Sequence, residues 1–265
     1  MVEAVINYLA PMDVRPRYHA NDASRDVLEL DPRLMPITDM RDTADTPTLD
    51  RDGYQLVSHK SAVEDFTDGA GGATYRQEVH DLILELSGAD AVVVTSPGLL
   101  RFSEQSAKSG KLDNSRPARF IHIDISDPTA EAFAARATPE GKTVRRFCHY
   151  NVWRTFSGAP QDVPLAVCDA RSISAQDLVA ADAVFDKPGA PEWSFEGLCV
   201  LHNPAHRWYY FRDMTPHEAL VFKTNDSDRT LAHNVPHSAF DDPTAPPGTH
   251  PRASVEARGI AFWFE

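Results

Sequence analysis

The chain has 265 residues, of which 42% are hydrophobic and 25% are charged, the composition of an ordinary soluble globular protein with enough length for a substantial core. Its net charge of −13 argues against nucleic-acid binding, because contacts with phosphate backbones require an excess of Lys and Arg. No run approaches the roughly 18 apolar residues of a membrane-spanning helix. No secretory signal is recognisable, and three cysteines without paired spacing predict reduced, mostly buried thiols, so the sequence predicts a cytoplasmic protein.

The first third of the chain predicts an irregular segment followed by one helix and one strand. Residues 1–50 are rich in Pro, Asp and Thr, which favours an N-terminal arm with one or two short strands ahead of a domain over residues 51–265. Within that domain, "TYRQEVHDLILELSGA" (74–89) carries apolar residues at helical spacing and has Gly88 as a stop signal. "ADAVVVTS" (89–96) then predicts a buried strand.

The sequence from residue 117 onward consists of short β-like runs separated by turn residues. The eight runs are "ARFIHIDIS", "TVRRFCHYNVWRTF", "VPLAVCDAR", "SFEGLCVLHN", "HRWYYF", "EALVFKTND", "NVPHSAF" and "RASVEARGIAFWF". Together with a short helix predicted near "SAQDLVAADAVF", they predict a mainly β fold with flanking helices, an antiparallel sandwich or double-stranded β-helix (jelly roll). A pair of sheets of this kind can hold a metal and a small ligand in its open mouth.

A histidine and an aspartate stand two positions apart in "RFIHIDIS". Alternate side chains on a strand point to the same face, so His122 and Asp124 are expected to project together as a nitrogen and an oxygen donor. A second histidine would complete the facial triad of non-haem Fe(II) enzymes, which leaves coordination positions open. His237, in "NVPHSAF", is the favoured third ligand, and His206, in "NPAHRW", is its rival. The alternative for the pair is a surface histidine beside a turn-capping aspartate.

The last run, "RASVEAR", contains the residues expected to bind an anionic co-substrate. Arg252 and Ser254 share a strand face, and an arginine fork beside a hydroxyl is a natural receptor for a carboxylate. Arg258, further along the same strand, is the alternative anchor. Arg252 could instead form a weak surface ion pair with one of the many acidic residues.

The order of a His-x-Asp strand, a later histidine and a final Arg-x-Ser strand resembles the Fe(II)/2-oxoglutarate-dependent oxygenases of the double-stranded β-helix fold. The segments "GYQLVSHKSAVEDF", "YNVWR", "PLAVCDARS", "HRWYYFRDMTPHEALVFK", "PHSAFDDP" and "RASVEAR" are similar to the hydroxylase/desaturase family of that class. The resemblance implies a dioxygenase that uses Fe(II), 2-oxoglutarate and O2 to hydroxylate or desaturate a small molecule of the secondary-metabolite kind. It also implies that His122, Asp124 and His237 bind iron, and that Arg252 and Ser254 bind a carboxylate of 2-oxoglutarate.

Several residues of two aromatic runs are predicted to reach the bound molecules. Asn151 and Arg154 lie in "YNVWR", where Asn151 is expected to contact the co-substrate and Arg154 the substrate. His206, Trp208 and Tyr210 lie in "HRWYYF" and are expected to line the substrate pocket. For all of them the alternative is packing in an aromatic core, since aromatic side chains bury large areas.

Two other functions fit part of the pattern. A zinc hydrolase could use the same His/Asp/His set with a metal-bound water, although the Arg-x-Ser element would then have no task. A non-catalytic partner subunit of a biosynthetic enzyme would keep the fold and bind another protein, and the intact triad argues against it. The sequence therefore favours an oxygenase that acts on a small molecule, with no nucleic-acid or membrane partner, and a homodimer is compatible with it.

Overall fold

Two β-sheets of nine and five strands form most of the structure, a computed structural model that describes residues 1–68 and 72–265. The strands in chain order are β1 (Val2–Leu9), β2 (Arg17–His19), β3 (Leu30–Asp39), β4 (Tyr54–Ser58), β5 (Ala91–Phe102), β6 (His122–Ile123), β7 (Val144–Thr155), β8 (Leu165–Cys168), β9 (Leu178–Phe185), β10 (Trp193–Val200), β11 (Trp208–Tyr210), β12 (Glu218–Asp226), β13 (His237–Ala239) and β14 (Ala253–Phe264). The helices are α1 (Gly72–Ser87) and α2 (Asp127–Ala137). Each of the eight predicted β-like runs contains a strand.

The five-stranded sheet has the order β4-β12-β7-β14-β5, with antiparallel neighbours throughout. Helix α1 covers its outer face, where Tyr75, Val79 and Ile83 pack in one cluster with residues of β5, β7, β12 and β14. The predicted helix is thus confirmed, and Gly88 ends it with a φ of +61° that glycine adopts without strain. The predicted strand "ADAVVVTS" is also confirmed, and β5 continues beyond it to Phe102.

The nine-stranded sheet has the order β1-β3-β11-β8-β13-β6-β10-β9-β2. Its neighbours are antiparallel except for the parallel pairs β3–β11 and β2–β9. One hydrophobic cluster joins the two sheets, because Leu165 and Val167 of β8 pack with Trp153, Leu220 and Phe222 of the five-stranded sheet. The short strands β6 and β13 lie in the middle of the nine-stranded sheet and face this core.

Helix α2 follows directly after "RFIHIDIS" and was not predicted from the sequence. Ser126 caps it by accepting a hydrogen bond from the Thr129 backbone N–H, and Pro128 stands in the first turn, where its missing N–H costs nothing. Ala134 packs against Ile260 and Phe262 of β14. The helix therefore closes one end of the space between the sheets.

Two expectations of secondary structure are corrected. The first fifty residues were predicted to be irregular with one or two short strands, but β1 and β3 are long, and β1 pairs with β3 along its whole length. Pro32 and Pro36 are tolerated in β3 because its second neighbour, β11, pairs only with residues 37–39. The predicted helix near "SAQDLVAADAVF" is instead the short 3-10 turn Ala175–Asp177 followed by β9, which is held between β10 and β2.

The three cysteines are free, buried thiols, as predicted. Burial raises the pKa of Cys168 and of Cys199 to about 12, so these thiols are protonated and unreactive at neutral pH. Within the two described stretches, no helix combines the length and the apolar character that crossing a membrane requires.

Candidate active site around a buried His-Asp-His cluster

The structure brings His122, Asp124 and His237 together. Each offers one ligand atom, and these atoms lie within 4.8 Å of one another. The two imidazole rings have centroids 4.3 Å apart because His122 and His237 are directly opposite each other on the adjacent strands β6 and β13. His122 Nε2 lies 3.7 Å from Asp124 Oδ1. All three residues are buried, so the His-x-Asp pair does not have the surface position of the alternative interpretation.

Both histidines are fixed in the same tautomer by a backbone carbonyl two residues earlier. The Nδ1 atom of His122 lies 3.0 Å from the carbonyl oxygen of Phe120, and Nδ1 of His237 lies 3.1 Å from that of Val235. A carbonyl only accepts, so each Nδ1 carries a hydrogen, and Nε2 is the ring atom that can offer a lone pair to a metal. Burial, with the neighbouring His237, lowers the pKa of His122 to about 3, so this ring is neutral at physiological pH. Neutral imidazoles with a free Nε2 are the form that binds a metal.

Asp124 is held in its ionised form by two side chains of the five-stranded sheet. Its Oδ2 accepts a hydrogen bond of 2.6 Å from Nδ2 of Asn151, and its Oδ1 lies 3.2 Å from Nη2 of Arg258. Burial by itself would raise the pKa of Asp124, but Arg258, the two histidines and Asn151 together hold it well below its usual range. Asn151 and Arg258 are cross-strand partners on β7 and β14, so a single pair of opposite residues binds both oxygens of the Asp124 carboxylate.

This contact changes the expectation for Asn151 and Arg258, which the sequence placed among the residues that bind the co-substrate. Nε and Nη2 of Arg258 also donate to Oε1 of Glu256 at 3.0 and 2.7 Å. Its guanidinium therefore already has two carboxylate partners within the protein. The structure does not support Arg258 as the alternative anchor for a co-substrate carboxylate.

Arg252 and Ser254 lack such partners. Arg252 is 2% exposed and Ser254 is 0% exposed, yet Nε of Arg252 and Oγ of Ser254 have no hydrogen-bond partner among the described residues. The guanidinium lies over the ring of Trp153, 5.5 Å from its centroid. A small cavity is lined by Arg252 together with both histidines of the cluster. An unpaired buried donor and hydroxyl fit an anion that reaches the cluster from this side.

Four residues that were predicted to line the substrate pocket lie elsewhere. Arg154 sits three positions from Asn151 on β7 and therefore points to the opposite face, beneath α1. Its guanidinium contacts the Tyr75 hydroxyl and both the carbonyl oxygen and Nδ1 of His59. These partners satisfy it in the outer core, away from the cluster.

His206, Trp208 and Tyr210 form part of a separate aromatic core. Trp208 pairs with Cys168 and Tyr209 pairs with Val167, which itself pairs with His237, so Trp208 and Tyr210 occupy the face opposite the cluster. His206 lies between Asp177 Oδ2 at 3.1 Å and the Tyr8 hydroxyl at 3.2 Å, and Trp208 donates to the same hydroxyl. His206 is thus a packed core histidine and not the third member of the cluster.

Gly197 of β10 is a residue of the site that the sequence analysis missed. A Cβ atom placed there would lie 2.9 Å from the backbone oxygen of Asp124 and 2.8 Å from the Tyr18 hydroxyl. Only glycine lets β10 approach the backbone of Asp124 so closely, and a lone glycine inside an apolar strand run was the signal that could have identified it.

Two larger cavities meet at Asp124 and Arg258. One, of about 480 Å³, includes His122, Phe120 and Tyr18 in its wall. The other, of about 540 Å³, extends from Asn151 towards α2 and the β9–β10 pair. The aromatic residues of its wall include Phe133, Phe185, Trp193 and Phe195. Each is large enough to enclose much of a small organic molecule beside the cluster.

Two facing sheets with a buried His-Asp-His cluster between them define an oxygenase-like jelly roll. A solved structure of the iron and alpha-ketoglutarate-dependent endoperoxidase NvfI superimposes with a TM-score of 0.83 at 23% identity, covering 100% of this chain and 98% of that one. This likeness confirms the predicted fold. The family profile described as "Oxidoreductase/YMDC permease-like domain" matches residues 6–262.

The chain belongs to that family, and its curated relatives include several fungal hydroxylase/desaturases. The hydroxylase/desaturase efuI of Hormonema carpetanum is 31% identical over 86% of this chain and 82% of its own length. The hydroxylase/desaturase CTB9 of Cercospora beticola is 30% identical over 87% of this chain and 76% of its own length. The alpha-ketoglutarate-dependent dioxygenase tstK of Talaromyces stipitatus is 29% identical over 98% of this chain and 97% of its own length. The resemblance inferred from the sequence is thereby confirmed.

Proposed function

We propose that this chain, an Fe(II)/2-oxoglutarate-dependent oxygenase, holds Fe(II) through Nε2 of His122, Nε2 of His237 and a carboxylate oxygen of Asp124. The observation that carries the proposal is the buried cluster whose ligand atoms lie within 4.8 Å of one another, with both histidine tautomers already set. Two imidazoles and one carboxylate suit non-haem Fe(II) and leave positions open for other ligands. When bound, the metal supplies, with 2-oxoglutarate and O2, the oxidising chemistry that hydroxylates or desaturates a small molecule.

The protein's own residues position the co-substrate. Arg252 and Ser254 would bind the carboxylate remote from the iron, because they are the buried donor and hydroxyl without partners beside the cavity that both histidines line. Asn151 and Arg258 hold Asp124 and so fix the direction of its oxygens. Burial of Asp124, Asn151, Arg252 and Ser254 excludes water from these groups and strengthens each charge-assisted hydrogen bond.

The substrate would occupy the cavities that meet at Asp124 and Arg258. Their walls combine aromatic rings with a few polar groups, which suits a largely apolar small molecule of the secondary-metabolite kind. Hydroxylation is the default outcome, and desaturation is the alternative from the same oxidising step. We also infer that residues 1–50 and 51–265 act as one domain; the cytoplasmic location and the homodimer stay predictions.

The proposal is tested by metal and co-substrate binding without oxygen. Purified protein is expected to bind one Fe(II) per chain, and added 2-oxoglutarate is expected to give the weak visible absorption of an Fe(II)-chelated 2-oxo acid, because the cluster leaves positions open. The control is the same titration with Zn(II), which should produce no band. If saturating Fe(II) and 2-oxoglutarate give no band, or if Zn(II) alone supports turnover, the oxygenase assignment of this site is overturned.

A second prediction concerns Asn151. Asn151→Ala should weaken Fe(II) binding by roughly tenfold to a hundredfold, the usual cost of removing a hydrogen bond that orients a metal ligand. The measurement is an anaerobic Fe(II) titration. The matched control is Asn225→Ala, since Asn225 is also buried and donates to an aspartate, Asp127, outside the cluster. Equal losses in the two variants would mean that Asn151 acts through general stability and not through Asp124.

A further inference from the structure

A second arginine lies beside the pair formed by Arg252 and Ser254. Arg101 stands near the end of β5, directly opposite Ser254 in the register of β5 with β14. Opposite residues of an antiparallel pair share a face, with Cβ atoms about 5 Å apart. Arg101 also lines the small cavity that contains Arg252, His122 and His237 in its wall. Arg101 and Arg252 therefore line one cavity beside the cluster, and Ser254 is the residue opposite Arg101 on the neighbouring strand.

The hydrogen bonds of Arg101 leave most of its guanidinium free. Nη1 donates to the backbone oxygens of Asn114 and Arg116 at 2.9 and 2.8 Å, and to Oδ1 of Asn114 at 2.6 Å. Nε and Nη2 have no described hydrogen-bond partner, and no carboxylate pairs with Arg101 among the residues that the structure describes. The bonds to one nitrogen hold the side chain in place while its other donors remain available.

The acidic residues nearby are already engaged by other groups. Glu256 accepts from Arg258, and Glu104 accepts from Arg119. A third acid, Asp162, accepts from the backbone N–H of Arg252 and from the Ser103 hydroxyl. Arg101, Arg252 and Glu256 line the same cavity, yet among the described residues no carboxylate forms an ion pair with either of these two arginines.

The electrostatics agree with this geometry. Burial, followed by the charges of Arg119 and Arg101, lowers the pKa of Arg252 to about 9. Burial also lowers the pKa of Arg101. Two like charges in a poorly solvated space lower the stability of the folded protein unless an opposite charge lies between them. A bound anion would therefore stabilise this pair of arginines.

We propose that Arg101 binds the same carboxylate of 2-oxoglutarate as Arg252 and Ser254, so that two guanidinium groups and one hydroxyl hold it. The proposal rests on the proposed function, and extends it by a residue that is 151 positions from Arg252 in the chain. A site of this kind selects 2-oxo acids that carry a second carboxylate, because each arginine is left unpaired when that carboxylate is missing.

The test compares two ligands in one variant. The Fe(II)-loaded wild type and Arg101→Gln are titrated anaerobically with 2-oxoglutarate and with 2-oxopentanoate, which has a methyl group in place of the second carboxylate. Arg101→Gln should weaken 2-oxoglutarate binding about thirtyfold, within the range for truncating one partner of a buried charge pair. Binding of 2-oxopentanoate should change less than about threefold, since the ligand lacks the group that Arg101 contacts. Arg101→Lys should bind 2-oxoglutarate with an affinity between those of the wild type and Arg101→Gln, because lysine keeps the charge but lacks the planar fork of arginine.

The matched control is Arg171→Gln. Arg171 pairs with Asp52 and Asp169 and lines none of the cavities beside the cluster, so its replacement should leave both affinities unchanged. Equal losses for the two acids in Arg101→Gln would assign Arg101 a structural role and overturn the proposal. Unchanged binding of 2-oxoglutarate would also overturn it. If Arg101→Gln does not fold, the same comparison is made with Arg101→Lys. A loss of affinity for 2-oxoglutarate that exceeds the loss for 2-oxopentanoate supports the proposal, and equal losses overturn it. Failure of the proposed function itself would show differently, as absence of 2-oxoglutarate binding by the wild type.

Discussion

Replacing His237 with alanine is expected to abolish iron binding. His237 supplies one of the three ligand atoms, and the two that remain, on His122 and Asp124, do not complete a facial set. We expect the affinity for Fe(II) to fall by more than about a hundredfold, beyond the usual cost of removing a residue that only orients a ligand. An anaerobic Fe(II) titration measures it, with thermal unfolding to show that the variant is folded.

His206→Ala is the control for this experiment. His206 was the rival ligand on sequence grounds, but it contacts Tyr8 and Asp177 in a separate core. Its removal should leave Fe(II) affinity within roughly tenfold. It should lower the free energy of unfolding by about 1–3 kcal/mol, since two buried polar groups lose a partner. The reverse result, with iron binding lost in His206→Ala and kept in His237→Ala, would refute the assignment of the cluster.

Arg252→Ala is expected to raise the 2-oxoglutarate concentration required for half-maximal succinate release by about thirtyfold or more, equivalent to about 2 kcal/mol. Truncating one partner of a buried, hydrogen-bonded charge pair costs about 2–5 kcal/mol, much of it from leaving the other charge unpaired. Iron affinity should be little changed, because Arg252 contacts none of the three ligands. Arg252→Lys should rescue only part of the loss, since a point charge cannot reproduce the planar fork.

Arg258→Ala should produce the opposite pattern and serves as the comparison. Its guanidinium donates to Asp124 and Glu256, so its loss should weaken Fe(II) binding more than it raises the requirement for 2-oxoglutarate. The same succinate-release and Fe(II)-titration measurements decide between the two arginines. If Arg258→Ala proves the costly change for 2-oxoglutarate, the anchor lies further along β14. If neither variant changes it, this chain does not hold 2-oxoglutarate through β14.

Local patterns of the sequence were sufficient to predict the strands of the eight β-like runs and the members of the cluster, but not β1, β3 and β9. Short apolar runs between turn residues mark strands wherever they pair, so all eight runs contain one. The spacing of two between His122 and Asp124 was enough to predict that they project together. His237 was preferred to His206 because of the Arg-x-Ser strand that follows it, and the cluster contains His237.

What the sequence could not predict depends on pairing between distant strands. The face that Trp208 and Tyr210 occupy is set by the register of β11 with β8, which no local pattern encodes. Arg252, immediately before β14, and Arg258, within it, are separated by an even number of residues, and they differ in their neighbours because Arg258 alone donates to Glu256 and Asp124. The convergence of Arg101 on Ser254 likewise requires β5 to pair with β14.

Other errors were avoidable. Asn151 and Arg154 are an odd number of residues apart on one strand, so they could not both face a ligand, and period-two alternation alone separates them. The sequence "SDPTAEAFAARA" also combines a capping serine, an early proline and several alanines, which are strong signals for the start of a helix.

The strands that carry the two histidines of the cluster are among the shortest in the nine-stranded sheet. β6 has two residues and β13 has three, yet they connect β10 on one side with β8 on the other, and they meet at the single pair His237↔His122. A metal shared by these two strands would act as a cross-link at the point where the backbone ladder is thinnest. Local opening of the sheet would then be coupled to metal occupancy, so amide hydrogen exchange over His237–Ala239 should be slowed by bound iron more than exchange in the long strands β1 and β3.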